Sequence, residues 1–380
     1  MIKVFKAVLI LFLFFVSSFS SQAQIDYSYR STQFEFQKNE ESSLILGVES
    51  NNFFRNNEYF GSLAEGYTLV GQSFQPSLMY YASEHVRFQL GYRLLQFYGT
   101  SEFSESSPTF SLHAQINPNL DVIMGALNGH IHHQLPEAIL SNEEQYNRPI
   151  ETGLQLLVHS KSIQADVWMD WEQFIFHGDS IPEKFTAGVS GNIHLLNSSQ
   201  SWKLNIPFGF LATHRGGQIS NYEENMQTLA NTSIGFGVTK ESNHPFFQET
   251  SFNFLFLGYE DVNKARGYDF YSGSAIYPTI TSTTSLGQIM IGYWKGDNYM
   301  SAKGNPLFNS ISSIDNKSHF RDRRMITTKI VYCKEINKGV KFSVNFEGLY
   351  DLNLSQFEYT YGVNLTFSPQ FFITKVRYKY

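Results

Sequence analysis

Several charged side chains occur at alternate residues, where a β-strand would place them on one face. Asp166, Asp170 and Glu172 alternate in this way within IQADVWMDWE, and Arg87 and Arg93 do so within VRFQLGYRL. Because successive strand side chains point to opposite sides, each set would line one surface. Such rows of charge attract counter-ions and can select which solutes pass, although ordinary solvated side chains are the simpler interpretation. Three further charged residues occupy equivalent positions: Lys203, Lys341 and Glu347.

Two short clusters have residue types that bind ions. In GHIHHQL, an extended chain would place His130 and His132 on one side, close enough to share a metal ion. Neither a cysteine nor a firmly placed carboxylate accompanies them, so we predict no metal site and retain the pair only as candidates.

In FRDRRM, the residues Arg321, Arg323 and Arg324 follow a long predicted loop. Guanidinium groups suit an anion such as a lipopolysaccharide phosphate or an acidic solute. The alternative is that the three arginines are simple charges at a rim.

The elements that carry these residues show the periodicity of β-strands. In FEYTYGVNLTF, every second residue from Phe357 to Phe367 is apolar, and the residues between are small or polar. Similar alternation recurs along the chain, and no useful length has the 3.6-residue period of a helix. We therefore predict one continuous all-β unit. Its apolar face would pack on the core of a soluble sandwich or contact the lipid around a membrane barrel.

The N-terminus and the composition favour the membrane barrel. Lys3 and Lys6 precede the apolar run from Ala7 to Val16, and small residues follow, which predicts a signal peptide (1–23) cleaved after Ala23. No later apolar run approaches the ~20 residues of a spanning helix. Aromatic residues make up 16% of the chain and charged residues only 16%, whereas a typical soluble domain has about 25% charged residues. The net charge of −6 and the lack of basic runs give no case for nucleic acid.

Short and long predicted connections mostly alternate along the chain. Short ones lie at 83–85, 117–119 and 160–162, and long ones at 129–148 and 297–320. Transmembrane barrels have short periplasmic turns and longer extracellular loops, whereas a soluble sandwich has no reason to alternate in this way. We predict a segment (24–41) in the periplasm or the lumen, followed by an antiparallel up-and-down barrel (42–380) of about 16 strands, with 14 or 18 as alternatives.

These features together resemble the outer-membrane porin-type β-barrels of Gram-negative bacteria. The chain ends on Tyr380, after alternating residues in VRYKY, which resembles the terminal strand by which such barrels are recognised for insertion. The resemblance implies an outer-membrane location, contact with outer-membrane lipid, and barrel-assembly machinery as a partner during insertion. It covers the whole mature chain but is architectural, so no functional residue is carried over.

Three functions are consistent with such a barrel. The first is a passive channel for small polar solutes, with the charged rows above lining the lumen. The second is a non-channel scaffold in a secretion or surface-assembly complex, which a loop at 129–148 or the 24–42 segment folded into the lumen would favour. The third is a lipid-active enzyme with Ser and His on its outer wall. Because no nucleophile motif is recognisable, we predict no catalytic residue and no cofactor, and we expect that the protein is not an enzyme.

Overall fold

The computed structural model describes residues 25–31, 36, 41–148, 150–197, 201–223 and 225–376. The predicted signal peptide, part of the 24–41 segment and the terminal Tyr380 lie outside the described residues. Within them, the chain is a single 17-stranded sheet with short helical turns at Ser28–Arg30, His130–His133, Glu144–Asn147 and Pro306–Phe308. None of the helices in this part of the chain is long and apolar enough to cross a bilayer.

The strands follow one another around the sheet in chain order. They are β1 (Ser43–Glu58), β2 (Tyr67–Ser83), β3 (Val86–Phe97), β4 (Glu105–Asn117), β5 (Leu120–Ala126), β6 (Thr152–His159), β7 (Ile163–Gln173), β8 (Glu183–Asn197), β9 (Trp202–Gly216), β10 (Gln227–Glu241), β11 (Phe247–Asp261), β12 (Ser272–Thr284), β13 (Gly287–Asp297), β14 (Asp322–Asn337), β15 (Val340–Asp351), β16 (Gln356–Phe367) and β17 (Gln370–Lys375).

The first and last strands close the sheet into a barrel. One half of β1, from Ser50 to Glu58, pairs with β16, and the other half, from Ser43 to Gly47, pairs with β17. The last two strands therefore continue one another along β1, interrupted at Pro369, which has no N–H to donate. The predicted antiparallel barrel of 16 strands is confirmed, because β17 is the second part of the final strand and not a further one.

The connections also alternate as predicted. Turns such as 84–85, 118–119 and 338–339 join the strands at one end, and the long loops at 127–151 and 298–321 leave from the other. We call the end with the long loops the outer end. Along β16, the side chains of Glu358, Thr360, Asn364 and Thr366 are buried, and Tyr361, Val363 and Leu365 between them are exposed. The barrel thus has a polar interior and an apolar exterior.

The packed core of the molecule lies inside the barrel. Its largest cluster combines wall residues such as Trp168 and Trp294 with residues of the two long loops, among them Ile139, Tyr299 and Phe308. The segment 25–31 also enters the lumen, because the Tyr27 hydroxyl donates to Glu347 Oε1 of β15 at 2.9 Å. Loops that fold inward bury apolar surface that would otherwise be exposed to water.

The direction in which the β3 side chains point gives a first prediction. Leu90 is 61% exposed on the exterior, and its neighbour Gln89 lines an interior cavity. An arginine at a mid-bilayer, lipid-facing site costs ~2–4 kcal/mol, whereas an interior polar position tolerates it. We expect Leu90→Arg to impair insertion far more than Gln89→Arg, measured as the fraction of protein that migrates faster on a gel unheated than boiled. Equal effects of the two substitutions would contradict the assignment of Leu90 to the exterior and Gln89 to the interior.

Candidate active site

The charged residues predicted to line a channel are buried or half-buried inside the barrel, but most are occupied by ionic partners. Asp170 pairs with Arg148 of the 127–151 loop at 2.9 Å, and Glu172 pairs with Lys303 of the 298–321 loop at 2.7 Å. The remaining predicted residues lie on different strands, each with its own surroundings: Arg87 beside His113, Arg93 beside Glu105, Asp166 beside His133, Lys203 beside Glu241, Lys341 on β15, and Glu347 beside Lys329. The structure therefore does not bring them together into one continuous charged row.

His133 fixes the 127–151 loop to the barrel wall. Its Nδ1 lies 2.8 Å from Asp166 Oδ2 on β7, and its Nε2 lies 2.5 Å from Glu151 Oε2. The imidazole stacks on Trp168, with ring centroids 3.6 Å apart. On β8, the Ser190 hydroxyl donates to the His133 backbone carbonyl. The loop is thereby held against two adjacent strands.

This carboxylate–imidazole–carboxylate arrangement has the imidazole and the acid of a catalytic triad, but neither its nucleophile nor its protonation state. The charges of Glu151 and Asp166 outweigh the effect of burial and raise the pKa of His133 to about 10. The ring is therefore an imidazolium at neutral pH, with both N–H groups donated, and cannot accept a proton from a nucleophile. We interpret His133 as an anchor for the loop.

The structure does not place the two candidate histidines, His130 and His132, together on one side of an extended chain. Residues 130–133 form a helical turn instead of an extended chain, so it is His130 and His133, not His132, that approach Glu151. Burial lowers the pKa of His132 to about 4. Among the described residues, no group of three His, Cys, Asp or Glu side chains could hold a metal ion.

On the opposite side of the lumen, the same loop joins a buried network of charges. Glu143 accepts from Arg55 of β1 at 3.1 Å, and Arg55 also approaches Glu347 at 3.5 Å. Lys329 of β14 contacts both Glu347 and the loop residue Glu137. Since β1 and β8 face each other across a 16-strand barrel, the 127–151 loop spans the lumen.

The 298–321 loop fills more of the outer end. The Asn231 amide of β10 donates to the Met300 carbonyl at 2.6 Å, and the Ser313 hydroxyl donates to the Leu63 carbonyl of the first outer loop at 2.9 Å. Arg323 does not lie at the rim as predicted. Its guanidinium is buried, pairs with Asp351 at 2.7 Å and donates to loop carbonyls. Only Arg321 and Arg324 are exposed, and each has an aspartate partner: Asp297 and Asp322.

A cavity of about 370 Å³ remains at the outer mouth, between the two loops and the ends of β1 and β2. The residues that line it supply carboxylates, including Glu65 and Glu144, and the hydroxyls of Ser141 and Ser313, but no imidazole. Both hydroxyls bond to backbone groups, since Ser313 donates to a carbonyl and Ser141 accepts from the Glu143 N–H. This cavity offers no hydroxyl paired with a base.

A hydroxyl paired with an imidazole lies instead on the exterior of the barrel. His214 of β9 and Thr228 of β10 are directly opposite in the strand register, and His214 Nδ1 lies 3.0 Å from Thr228 Oγ1. Both side chains belong to the outward row, because the residues of opposite parity on these strands, such as Leu211 and Leu229, are buried inside. His214 is two residues from the end of β9, so the pair lies within about 7 Å of the outer loops.

Aromatic residues continue this row across neighbouring strands. The Phe185 ring of β8 stacks on His214 with centroids 4.8 Å apart, and Trp171 of β7 lies beside Phe185 at 5.5 Å. Each residue is the register partner of the next. We call Trp171, Phe185, His214 and Thr228 the outer-wall row. The stacking fixes the plane of the imidazole, and the aromatic rings provide an apolar floor beside the hydroxyl.

The chemistry available to this pair is nucleophilic catalysis. In the tautomer with Nδ1 unprotonated, the imidazole accepts the Thr228 proton and makes the hydroxyl a nucleophile. A purely structural role is the alternative, since a hydrogen bond between the two side chains satisfies their polar atoms within an interfacial aromatic belt.

A second exterior cluster at the outer end has Thr68 donating to Asn56 at 2.7 Å and Asn56 donating to Glu58 at 2.6 Å. There the hydroxyl meets an amide oxygen, which is not a base.

Sequence reasoning missed His214 and Thr228. Continuing the alternation of Phe208 and Phe210 through Ala212 reaches His214 and would have placed it on the apolar face. No local motif joins it to Thr228, because the two residues meet only through strand pairing.

Comparisons with known proteins agree on the fold and add a family. The model of the lipid A 3'-O-deacylase-type family matches residues 36–376. No curated protein matches the chain. Among solved structures, the outer membrane protein OprD from Pseudomonas aeruginosa is similar at 10% identity and a TM-score of 0.51, covering 89% of this chain and 98% of its own. A BenF-like porin from Pseudomonas fluorescens Pf-5 is similar at 9% identity and a TM-score of 0.50, covering 87% and 100%.

Two of the predictions are decided by these findings. The barrel is of the Gram-negative outer-membrane porin type, as predicted, and these similarities concern its fold alone. The expectation that the protein is not an enzyme is wrong, because the matched family is an enzyme family. The prediction relied on short nucleophile motifs in the sequence. Such motifs cannot detect two side chains that come together only when two strands pair.

The His133 anchor predicts a pH dependence. A raised pKa means that its contribution to stability is complete below its ordinary pKa of 6.5 and is lost as the pH rises to about 10. The pKa of Glu151 is lowered, so its contribution is complete above 4.5 and is lost only in acid. We therefore expect the 127–151 loop to be most resistant to proteolysis between about pH 4.5 and 6.5, and progressively cleaved towards pH 10. A His133→Asn variant should be cleaved readily across this range, and a wild-type loop whose cleavage does not change with pH would contradict the anchor.

Proposed function

The chain belongs to the lipid A 3'-O-deacylase-type family, and we propose that it is an outer-membrane hydrolase that releases an ester-linked acyl chain from a lipid A-type glycolipid. The match over residues 36–376 carries this proposal, since it extends over nearly the whole described barrel. The protein would be exported by the signal peptide, cleaved after Ala23 and inserted with the help of barrel-assembly machinery.

The outer-wall row supplies the residues for this reaction. A lipid of the outer leaflet reaches the exterior of the barrel directly, with its ester groups near the boundary between headgroups and acyl chains. His214 and Thr228 lie at the outer end of their strands, on that exterior. In contrast, the cavity at the outer mouth lies between the two interior loops. The position of the pair therefore suits an ester presented from the membrane.

The proposed steps use the hydroxyl and the imidazole in turn. Thr228 Oγ1 attacks the ester carbonyl carbon as its proton passes to His214 Nδ1. The bond between that carbon and the sugar oxygen breaks, and His214 returns the proton to the leaving oxygen. Water then attacks the acyl–threonine ester with His214 again as the base, which releases the fatty acid and restores the hydroxyl. Trp171 and Phe185 form the apolar surface beside the reacting carbon.

The filled lumen argues against a passive channel for small polar solutes. The 127–151 loop contacts β7 and β8 on one side and β1 on the other, and the 298–321 loop contacts β10. A loop folded into the lumen was the feature predicted to favour a non-channel barrel. A scaffold in a surface-assembly complex has the same feature, but it gives no reason for a deacylase-type match, and hydrolysis separates the two functions.

We predict that refolded protein removes one ester-linked acyl chain from purified lipid A in mixed micelles, measured by mass spectrometry of the product. His214→Gln and Thr228→Val should each lower the rate by about 10²–10⁴-fold, the range for loss of a proton-transfer group. Thr228→Ser keeps the hydroxyl and should retain much of the activity. Each loss should be in kcat, with the fold intact by gel mobility.

Matched controls exist on the same barrel. Thr232 lies on the same exterior face of β10, and His85 is an exposed histidine at the inner end that bonds to Gln115, so Thr232→Val and His85→Gln should both stay active. Hydrolysis that survives both site substitutions would exclude the outer-wall row as the catalytic site. Failure of wild type to hydrolyse any lipid A would contradict the proposed function itself.

A further inference from the structure

Two outer loops beside the outer-wall row expose large apolar side chains. The loops are residues 174–182, between β7 and β8, and residues 217–226, between β9 and β10. Phe176 is 72% exposed and Phe174 is 64% exposed. Three more exposed apolar residues share the two loops: Ile181, Ile219 and Met226. We call these five side chains the apolar crest.

The two loops are bound to each other, so the exposure belongs to an ordered surface. The Gly178 N–H donates to the Ile219 carbonyl at 2.8 Å, and the Asn221 N–H donates to the Asp179 carbonyl at 2.7 Å. Ile175 is buried and lies where a side chain on Gly217 would clash. Phe174 and Phe176 pack edge to face, with centroids 5.2 Å apart. The loops thus hold the apolar side chains outward while their backbones satisfy one another.

The crest continues the apolar exterior of the barrel. Phe174 directly follows β7, on whose exterior Trp171 lies, and Met226 directly precedes β10, which begins one residue before Thr228. The Met226 side chain and the His214 ring both border the space that a side chain on Gly216 would occupy. Apolar surface therefore runs from the lipid-facing wall, past the His214–Thr228 pair, and onto the two loops. Continuous exposed apolar surface of this kind marks an interaction site.

We infer that the apolar crest binds an acyl chain of an outer-leaflet lipid and holds it beside the outer-wall row. The occupant is a lipid chain because the crest is continuous with the lipid-facing wall. Its two paired phenyl rings and flexible Met226 suit a long, linear aliphatic chain. That this chain is the one whose ester reacts rests on the proposed function, whereas binding of the chain does not.

The binding can be tested without catalysis. In a Cys333→Ser background, which removes the single natural cysteine, Phe176→Cys is labelled with an environment-sensitive fluorophore and reconstituted into vesicles. Lys317→Cys, at an exposed position of the 298–321 loop, is the matched control. We expect phospholipids with brominated acyl chains to quench the label at 176 and to leave the label at 317 unquenched. Equal quenching at the two positions, or none at 176, would overturn the inference.

The role of the crest in the reaction has a separate readout. The double variant Phe174→Ser, Phe176→Ser should raise KM for a long-chain ester by at least about tenfold more than for a short-chain ester, since burial of a phenyl side chain on a lipid chain is lost. Leu286→Ser removes an equally exposed apolar residue at an inner turn. It should not change KM for the long-chain ester more than KM for the short-chain ester. If the double variant raises both KM values equally, the crest does not select the chain. If no ester is hydrolysed by wild type, the proposed function fails and the quenching result alone decides binding.

Discussion

The pairing of charges inside the barrel is the constraint on which the rest of this structure depends. Glu347 is fully buried on β15, with Arg55 of β1 and Lys329 of β14 as its cationic partners. Removing an ion from water costs several kcal/mol, and breaking one buried pair costs about 3–5 kcal/mol, because it leaves an uncompensated charge. The walls alone do not satisfy this requirement, so Glu137 and Glu143 of the 127–151 loop complete the network. The loop is held in the lumen by electrostatics as much as by its apolar residues.

Because the charged side chains of the lumen are paired, the side chains that remain available to a substrate lie on the exterior of the barrel wall. A barrel with this number of strands is wide enough for an aqueous channel, yet its interior carboxylates meet loop cations, as Asp170 meets Arg148 and Glu172 meets Lys303. His133, which has the neighbours of a catalytic base, is held as an imidazolium and serves as an anchor. The exterior keeps a hydroxyl and an imidazole in contact at His214 and Thr228, where lipid can approach. The barrel thus has a porin-type wall, a filled interior and a hydroxyl–imidazole pair on its exterior.

The alternation of apolar and polar residues along each strand was enough to predict the barrel wall. The alternation from Phe357 to Phe367 predicted both faces of β16, and the pairing of β16 and β17 with β1 set the number of strands at 16. The interior could not be predicted in this way. Arg55 and Glu347 are 292 residues apart, and Asp166 lies 33 residues from His133, so their contacts depend on barrel closure and loop folding. Likewise, His214 and Thr228 are neighbours only because β9 and β10 pair in one particular register.

Single-channel recording in planar bilayers tests most directly whether paired charges close the interior and leave the exterior as the working surface. The account predicts no steady conductance steps for the refolded wild-type protein. Steps should appear for a variant with Glu137→Ala, Glu143→Ala and His133→Ala, which removes three ion pairs between the loop and β1, β7 and β14. Wild-type protein that conducts steadily, with steps unchanged in the triple variant, would contradict it.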